Sequence, residues 1–308
     1  MKLEFIPLLQ LQRDLYNIPL GQERFQAYLE TMLNSDASDV ELPTLGIMNP
    51  MGKAHIPAML DALIAMDADT VASQAIAELL DQFEKDSGTF KLGLVVADDL
   101  MGGWTNRYTS EFSARFEIEK TLKRGWLSGI LWTSEIPSLQ KVREEALTTV
   151  YRATYIQRHG FAHTLQEMLN QEGYAMAMAG CTQPSLDDDD IAVLGLVRHT
   201  SKTETLDKKG SGVPHLRGNR YIAYTREIIT PYLSSRDYPT VIVCLFGDRA
   251  AHSLGYKSQG LSERAGLALA LHQIYSSDFC SQDTRGQLVA RLVAGGIRAT
   301  MWGTGRGS

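Results

Sequence analysis

Two adjacent carboxylates, Asp98 and Asp99, stand directly after the apolar run Leu92 to Ala97. Carboxylates at the end of a strand suit two tasks: ligating a divalent ion such as Mg²⁺ or Mn²⁺, or acting as a general base. Adjacent residues on a strand point to opposite faces, so at most one of the two continues inward if the strand persists. Gly102 and Gly103 follow, and such a pair lets backbone N–H groups approach an anion. Beyond them come Trp104, Asn106, Arg107 and Tyr108. Arg107 offers a bidentate fork, and Trp104 and Tyr108 offer a stacking wall. The competing duties are plain ones: an aspartate capping the next helix, and aromatics covering a sheet edge.

A second group runs from Asn49 to His55, NPMGKAH. Gly52 and Lys53 before a helix suit an anion-binding turn, because a helix N-terminus presents free N–H groups and a positive dipole end. The segment is not a P-loop. Gly46 stands one residue too far from Gly52, and Ala54 replaces the hydroxyl that would bind magnesium. His55 can serve as acid, base or cap, the roles open to a histidine side chain.

Asp248, Arg249 and His252 follow the apolar run Thr240 to Phe246. An Asp–His pair at i, i+4 can orient an imidazole for base work, and Arg249 can hold an anion. His159, His163 and Glu167 fall at i, i+4 and i+8, a spacing that allows a metal such as Zn²⁺ if one helix carries all three. Gly160 and the capping-box pattern at Thr164 to Glu167 argue instead for a helix break between them. Cys181 reads as a structural cysteine. Asp187 to Asp190 lacks the alternation and glycine of an EF-hand and reads as a solvated turn.

These residues need a scaffold that gathers them. Residues 3–34 read as helical, broken near Pro19 to Gly21, and residues 1–40 form an N-terminal helical extension. Residues 41–308 then read as a single α/β domain carrying a long polar loop at 200–218. Apolar runs at 91–97, 127–133, 174–179, 240–246 and 297–302 read as strands, with weaker pieces at 45–48 and 191–197. Helical patterns separate them, and that alternation implies βα units with a mostly parallel sheet. The expected fold is a three-layer α/β sandwich of five to seven strands, with an irregular (β/α) barrel as the alternative. In such folds ligands bind at the carboxyl ends of the strands, where nearly every run empties into polar residues.

Bulk composition narrows the function. Thirty basic against 36 acidic residues give a net charge of −6, which disfavours nucleic-acid binding as the main task. Three cysteines without a CxxC pair point to a reducing compartment. No signal peptide stands out, and no apolar run reaches the roughly 20 residues of a membrane span. A soluble, cytoplasmic protein is expected. No GxGxxG follows any strand, so no dinucleotide is implied. The expectation is an enzyme acting on a small phosphorylated or carboxylated substrate, by hydrolysis or lyase chemistry with or without a divalent metal. Asp98, Asp99, Asp248, His55 and His252 would carry the chemistry, and the 200–218 loop would close over it. A non-catalytic small-molecule-binding protein using the same edge is the alternative. A homodimer is a base-rate expectation at this size.

Overall fold

The computed structural model describes residues 1–83, 86–100, 106–181 and 219–276. The chain divides into two compact units, Met1–Ala162 and His163–Ser308.

The first unit is built on three strands: β1 (Lys2–Phe5), β2 (Thr89–Ala97) and β3 (Trp126–Trp132). They lie in the order β1-β2-β3, and both pairings are parallel. The central strand is apolar without alternation because both faces are covered. Leu92, Leu94, Val95 and Val96 have no exposed surface. The register sets Ala97 opposite Trp132, so Asp98 and Thr133 leave the sheet side by side. The Thr133 N–H donates to the Ala97 carbonyl at 3.1 Å and carries the pairing one step further.

Between β1 and β2 come α1 (Leu9–Leu15), α2 (Gln22–Met32), a 3-10 turn (Pro43–Ile47), α3 (His55–Ala65) and α4 (Ala68–Ala77). Between β2 and β3 come α5 (Arg107–Phe116) and α6 (Glu119–Lys123), and α7 (Leu139–His159) follows β3. The Ser138 hydroxyl accepts the Lys141 N–H and starts α7. That helix packs against α4 and β3, while α1, α3 and the 3-10 turn pack against β2.

The described part of the second unit is helical. It holds α8 (Leu165–Ala179), α9 (Asn219–Ile229), α10 (Tyr238–Phe246), α11 (Asp248–Leu254) and α12 (Ala265–Ser276). The central contact is α8 against α12. Gly173 permits it: a Cβ there would sit 2.7 Å from the Ala270 carbonyl oxygen.

The expected sandwich of five to seven strands is therefore corrected to a mostly helical α/β protein with a three-stranded parallel sheet among the described residues. The irregular barrel falls with it. The runs at 91–97 and 127–133 are strands, but 174–179 lies inside α8 and 240–246 inside α10. The physical reasons differ. Residues 174–179 are YAMAMA, and Ala and Met are good helix formers that a buried helix uses as readily as a strand does. Residues 240–246 are β-branched and apolar, yet Asp237 accepts the Thr240 N–H at 3.1 Å and Pro239 occupies the first turn. Cap and proline start a helix that is then buried all round. Residues 45–48 fall at the end of the 3-10 turn that Pro43 opens. The N-terminal segment is not purely helical, since its first residues supply β1. The runs at 191–197 and 297–302 and the 200–218 loop lie outside the described residues, as do Asp187 to Asp190. Among the described residues, no helix is long and apolar enough to cross a membrane.

Candidate functional site

The carboxyl edge of β2 brings together Asp98 and the turn from Asn49 to His55. Asp98 leaves the strand with its side chain fully buried, and its Oδ1 lies 2.7 Å from Nε2 of His55. A carboxylate only accepts, so the proton of this contact is assigned to Nε2, and in the neutral imidazole Nδ1 is then the bare nitrogen. The amide of Asn49 donates to Asp98 Oδ2 at 3.4 Å, and the Leu100 N–H donates to Oδ1 at 3.2 Å. The Thr133 hydroxyl lies 3.3 Å from the same oxygen. The His55 side chain keeps 16% of its surface exposed. Its Nδ1 is buried and has no partner among the described residues.

The turn that delivers Asn49 and His55 is fixed from below. The Tyr16 hydroxyl donates to the Asn49 carbonyl at 2.6 Å. Buried Arg24 donates to the carbonyls of Pro50 and Gly52 at 3.4 and 3.3 Å. Its guanidinium also lies 5.3 Å from the centre of the Tyr16 ring. Burial pushes the Tyr16 phenol up, against the opposing pull of Arg24, so the hydroxyl stays a donor. Asn49 Oδ1 accepts the Met51 N–H at 3.1 Å, an Asx turn that tightens the bend. Gly52 is small for packing: a Cβ would meet Ile56 Cδ1 at 2.1 Å and the Asn49 carbonyl at 3.0 Å. Lys53 is exposed, two residues before His55.

Asp99 takes the opposite direction, as strand alternation requires. It accepts the Ser134 N–H at 2.9 Å, the Ser134 hydroxyl at 2.6 Å and Arg107 Nη1 at 2.9 Å. Arg107 also donates to the Ser134 hydroxyl at 2.6 Å and to Glu135, and its Nε lies 3.8 Å from Glu111. It stacks 5.1 Å from the centre of the Trp132 ring. Burial alone would lower its pKa, but Glu111, Glu135 and Asp99 outweigh that and hold the guanidinium charged. Arg107 is thus enclosed by carboxylates and offers no free fork to an anion. Asn106 caps α5 through the Tyr108 N–H at 2.9 Å, and Tyr108 is buried. Gly102, Gly103 and Trp104 lie outside the described residues.

The other predicted residues make local contacts of their own. Asp248 follows a helix, and its two oxygens accept the N–H groups of Gln259 and Gly260 at 2.8 and 2.9 Å. His252 is exposed and pairs with the Ser258 hydroxyl at 3.0 Å, while Arg249 pairs with Glu263 at 2.7 Å. Asp248 therefore pins a loop, and no hydrogen bond joins it to His252. Helix α7 ends at His159, and a capping box at Thr164 starts α8, so His159 and His163 share no helix. His159 stacks on Tyr155 with centroids 4.4 Å apart, and the His163 N–H donates to Glu167 at 2.7 Å. Cys181 is buried, and burial pushes the Cys244 thiol up to about 12. Among the described residues, no group of three His, Cys, Asp or Glu side chains is set to hold a metal.

Sequence reasoning missed Thr133 and Ser134 as partners of the aspartates, and Glu135 as a partner of Arg107. It also missed Tyr16 and Arg24 as the supports of the turn. The polar run directly after β3 was the available signal for the first group. Nothing in spacing marks the second.

The fold and the pair define a class only in broad terms, a mixed α/β protein with a histidine–aspartate pair at the tip of a parallel sheet. Comparison with protein-family models, with curated proteins and with solved structures finds no match to the chain.

Proposed function

We propose that the chain is an enzyme whose first unit moves a proton between His55 and a small anionic substrate at the carboxyl end of the sheet. The observation that carries this reading is the 2.7 Å contact between His55 Nε2 and a carboxylate with no exposed surface. A buried aspartate of this kind fixes the tautomer and orientation of an imidazole and stabilises its protonated form. Nδ1 then serves as the base in one half of the reaction and, once protonated, as the acid in the other. Lys53, exposed on the turn two residues before His55, supplies a positive charge that supports a phosphorylated or carboxylated substrate. Hydrolysis and elimination both fit such a pair.

The experiment is a turnover screen of the full chain against small phosphate monoesters, carboxylic esters and hydroxy acids, run beside His55→Gln and Asp98→Asn. General acid–base groups contribute about 10²–10⁴-fold. The reading expects that loss in both variants with circular dichroism unchanged. Turnover that survives both substitutions contradicts it. Saturable binding without turnover favours a non-catalytic binding protein at the same edge.

A further inference from the structure

A cavity of about 430 Å³ lies in the first unit between the 3-10 turn, α5, β3 and α7, and neither His55 nor Asp98 lines it. Its volume falls within the roughly 300–1,000 Å³ of ordinary small-molecule sites. The walls are largely apolar, with Ile47, Met48, Trp126, Leu127 and Ile130 among them. Four of the hydroxyls that line it are spent on the chain itself. Thr109 and Ser110 both donate to the Asn106 carbonyl, at 2.8 and 3.1 Å. Ser128 pairs with Thr44 at 2.8 Å, and at the exposed rim Ser113 donates to Glu117 at 2.6 Å.

The charges at the inner end are spent as well. Arg152 lines the cavity from α7, and the Glu145 carboxylate faces it from the same helix. Arg115 is held by Glu111 at 2.7 Å. A charged ligand would lose its hydration here and find every counter-charge already answered, so the lining favours a neutral one. Thr149, one turn before Arg152, is the exception. It lines the cavity, is 5% exposed, and its hydroxyl has no hydrogen-bond partner among the described residues. Thr148 and Thr154 on the same helix donate to the carbonyls four residues back, those of Glu144 and Val150. Thr149 does not use that route, and a buried hydroxyl without a partner is costly.

We infer that this cavity binds a neutral, mainly apolar small molecule carrying one hydrogen-bonding oxygen, an aliphatic alcohol being the simplest case. The apolar walls take the hydrocarbon, and the oxygen pairs with the Thr149 hydroxyl. The site is independent of the His55–Asp98 reading, and neither stands or falls with the other.

Isothermal titration of the full chain with octan-1-ol and with octanoate at neutral pH tests this. Octan-1-ol is expected to saturate at one per chain, and octanoate, which carries a charge on the same hydrocarbon, to bind at least about tenfold more weakly. Thr149→Val removes the hydroxyl at constant shape and should weaken octan-1-ol about three- to tenfold, the worth of one hydrogen bond between neutral groups. Thr149→Ser keeps the hydroxyl and should bind like the parent. Ser113→Phe, at the exposed rim, should block entry. No saturable binding of octan-1-ol overturns the inference and leaves the hydroxyl to an ordered water. Octanoate binding as tightly as the alcohol overturns it too, as does an affinity indifferent to Thr149→Val or to Ser113→Phe. A loss in Thr149→Ser equal to that in Thr149→Val would trace the effect to packing and overturn it equally.

Discussion

Nε2 of His55 lies 2.7 Å from Oδ1 of Asp98, and this one contact joins the first turn of α3 to the tip of β2. Both partners are held from outside the pair. Asn49 and the Leu100 N–H brace the carboxylate, and Tyr16 and Arg24 brace the turn that carries the imidazole. Such bracing is what keeps an acid–base pair within the few tenths of an ångström that proton transfer needs.

Replacing Asp98 separates its two duties. Asp98→Asn keeps a similar shape and should change stability little while abolishing the orienting charge. Asp98→Ala leaves the His55, Asn49 and Leu100 donors without an acceptor and should cost about 1–3 kcal/mol. Urea unfolding of both variants measures the difference.

Arg107 answers to a different test, because three carboxylates surround it. Arg107→Met leaves Asp99, Glu111 and Glu135 as buried like charges and should destabilise the fold by about 3–5 kcal/mol. Arg107→Lys keeps a charge but loses the fork to Ser134 and Glu135, and should fall between. An unchanged urea midpoint in Arg107→Met would show that the guanidinium does not hold this edge together.

Thr149→Val should stabilise the ligand-free chain or leave it unchanged, by up to about 1 kcal/mol, since it removes a buried hydroxyl that has no partner. A clear loss of stability would mean the hydroxyl is bonded after all. Thermal unfolding reads this directly.

Burial raises the Asp69 carboxyl to about 6, against the Leu9 N–H that donates to its Oδ2 at 3.3 Å. Its Oδ1 is buried without a partner among the described residues. The folded chain holds this proton more tightly than the unfolded chain, whose carboxyl titrates near 3.8. Stability contributed by this group is therefore full below about 4 and falls as pH rises through about 6. Asp69→Asn should flatten that slope and stabilise the chain at pH 7 by about 1 kcal/mol after solvent screening. Unfolding midpoints of the parent and variant between pH 4 and 7 check it.

The part of the fold legible in the sequence was the part where one local signal had no rival. Leu92 to Ala97 and Leu127 to Trp132 are short apolar runs without caps inside them, and both are strands. Thr164 to Glu167 is a capping box in sequence and in structure. Val241 to Phe246 is as apolar and more β-branched, yet it is helical, because burial on all sides erases the periodicity that separates the two states. The Asp237–Pro239 start was the discriminating signal, and it lies outside the run itself. Gly173 looks like a helix stop and is instead a contact point for α12, which no local rule reveals. β1 is too short to show alternation in four residues. In the site, Asp98 and His55 were each legible from position and residue type. Their pairing depends on a 43-residue separation and on the turn built by Tyr16 and Arg24. Arg107 illustrates the converse, an anion-binding residue by type whose partners turn out to be the chain's own carboxylates.

Asp98 is expected to hold neutral His55 with Nε2 protonated and Nδ1 bare. Long-range proton–nitrogen correlation of the imidazoles at neutral pH measures this directly, with His55→Gln supplying the assignment. The expected result is the Nε2–H tautomer for His55 and a changed nitrogen pattern in Asp98→Asn. A His55 spectrum with the proton on Nδ1, or one indifferent to Asp98→Asn, would contradict it.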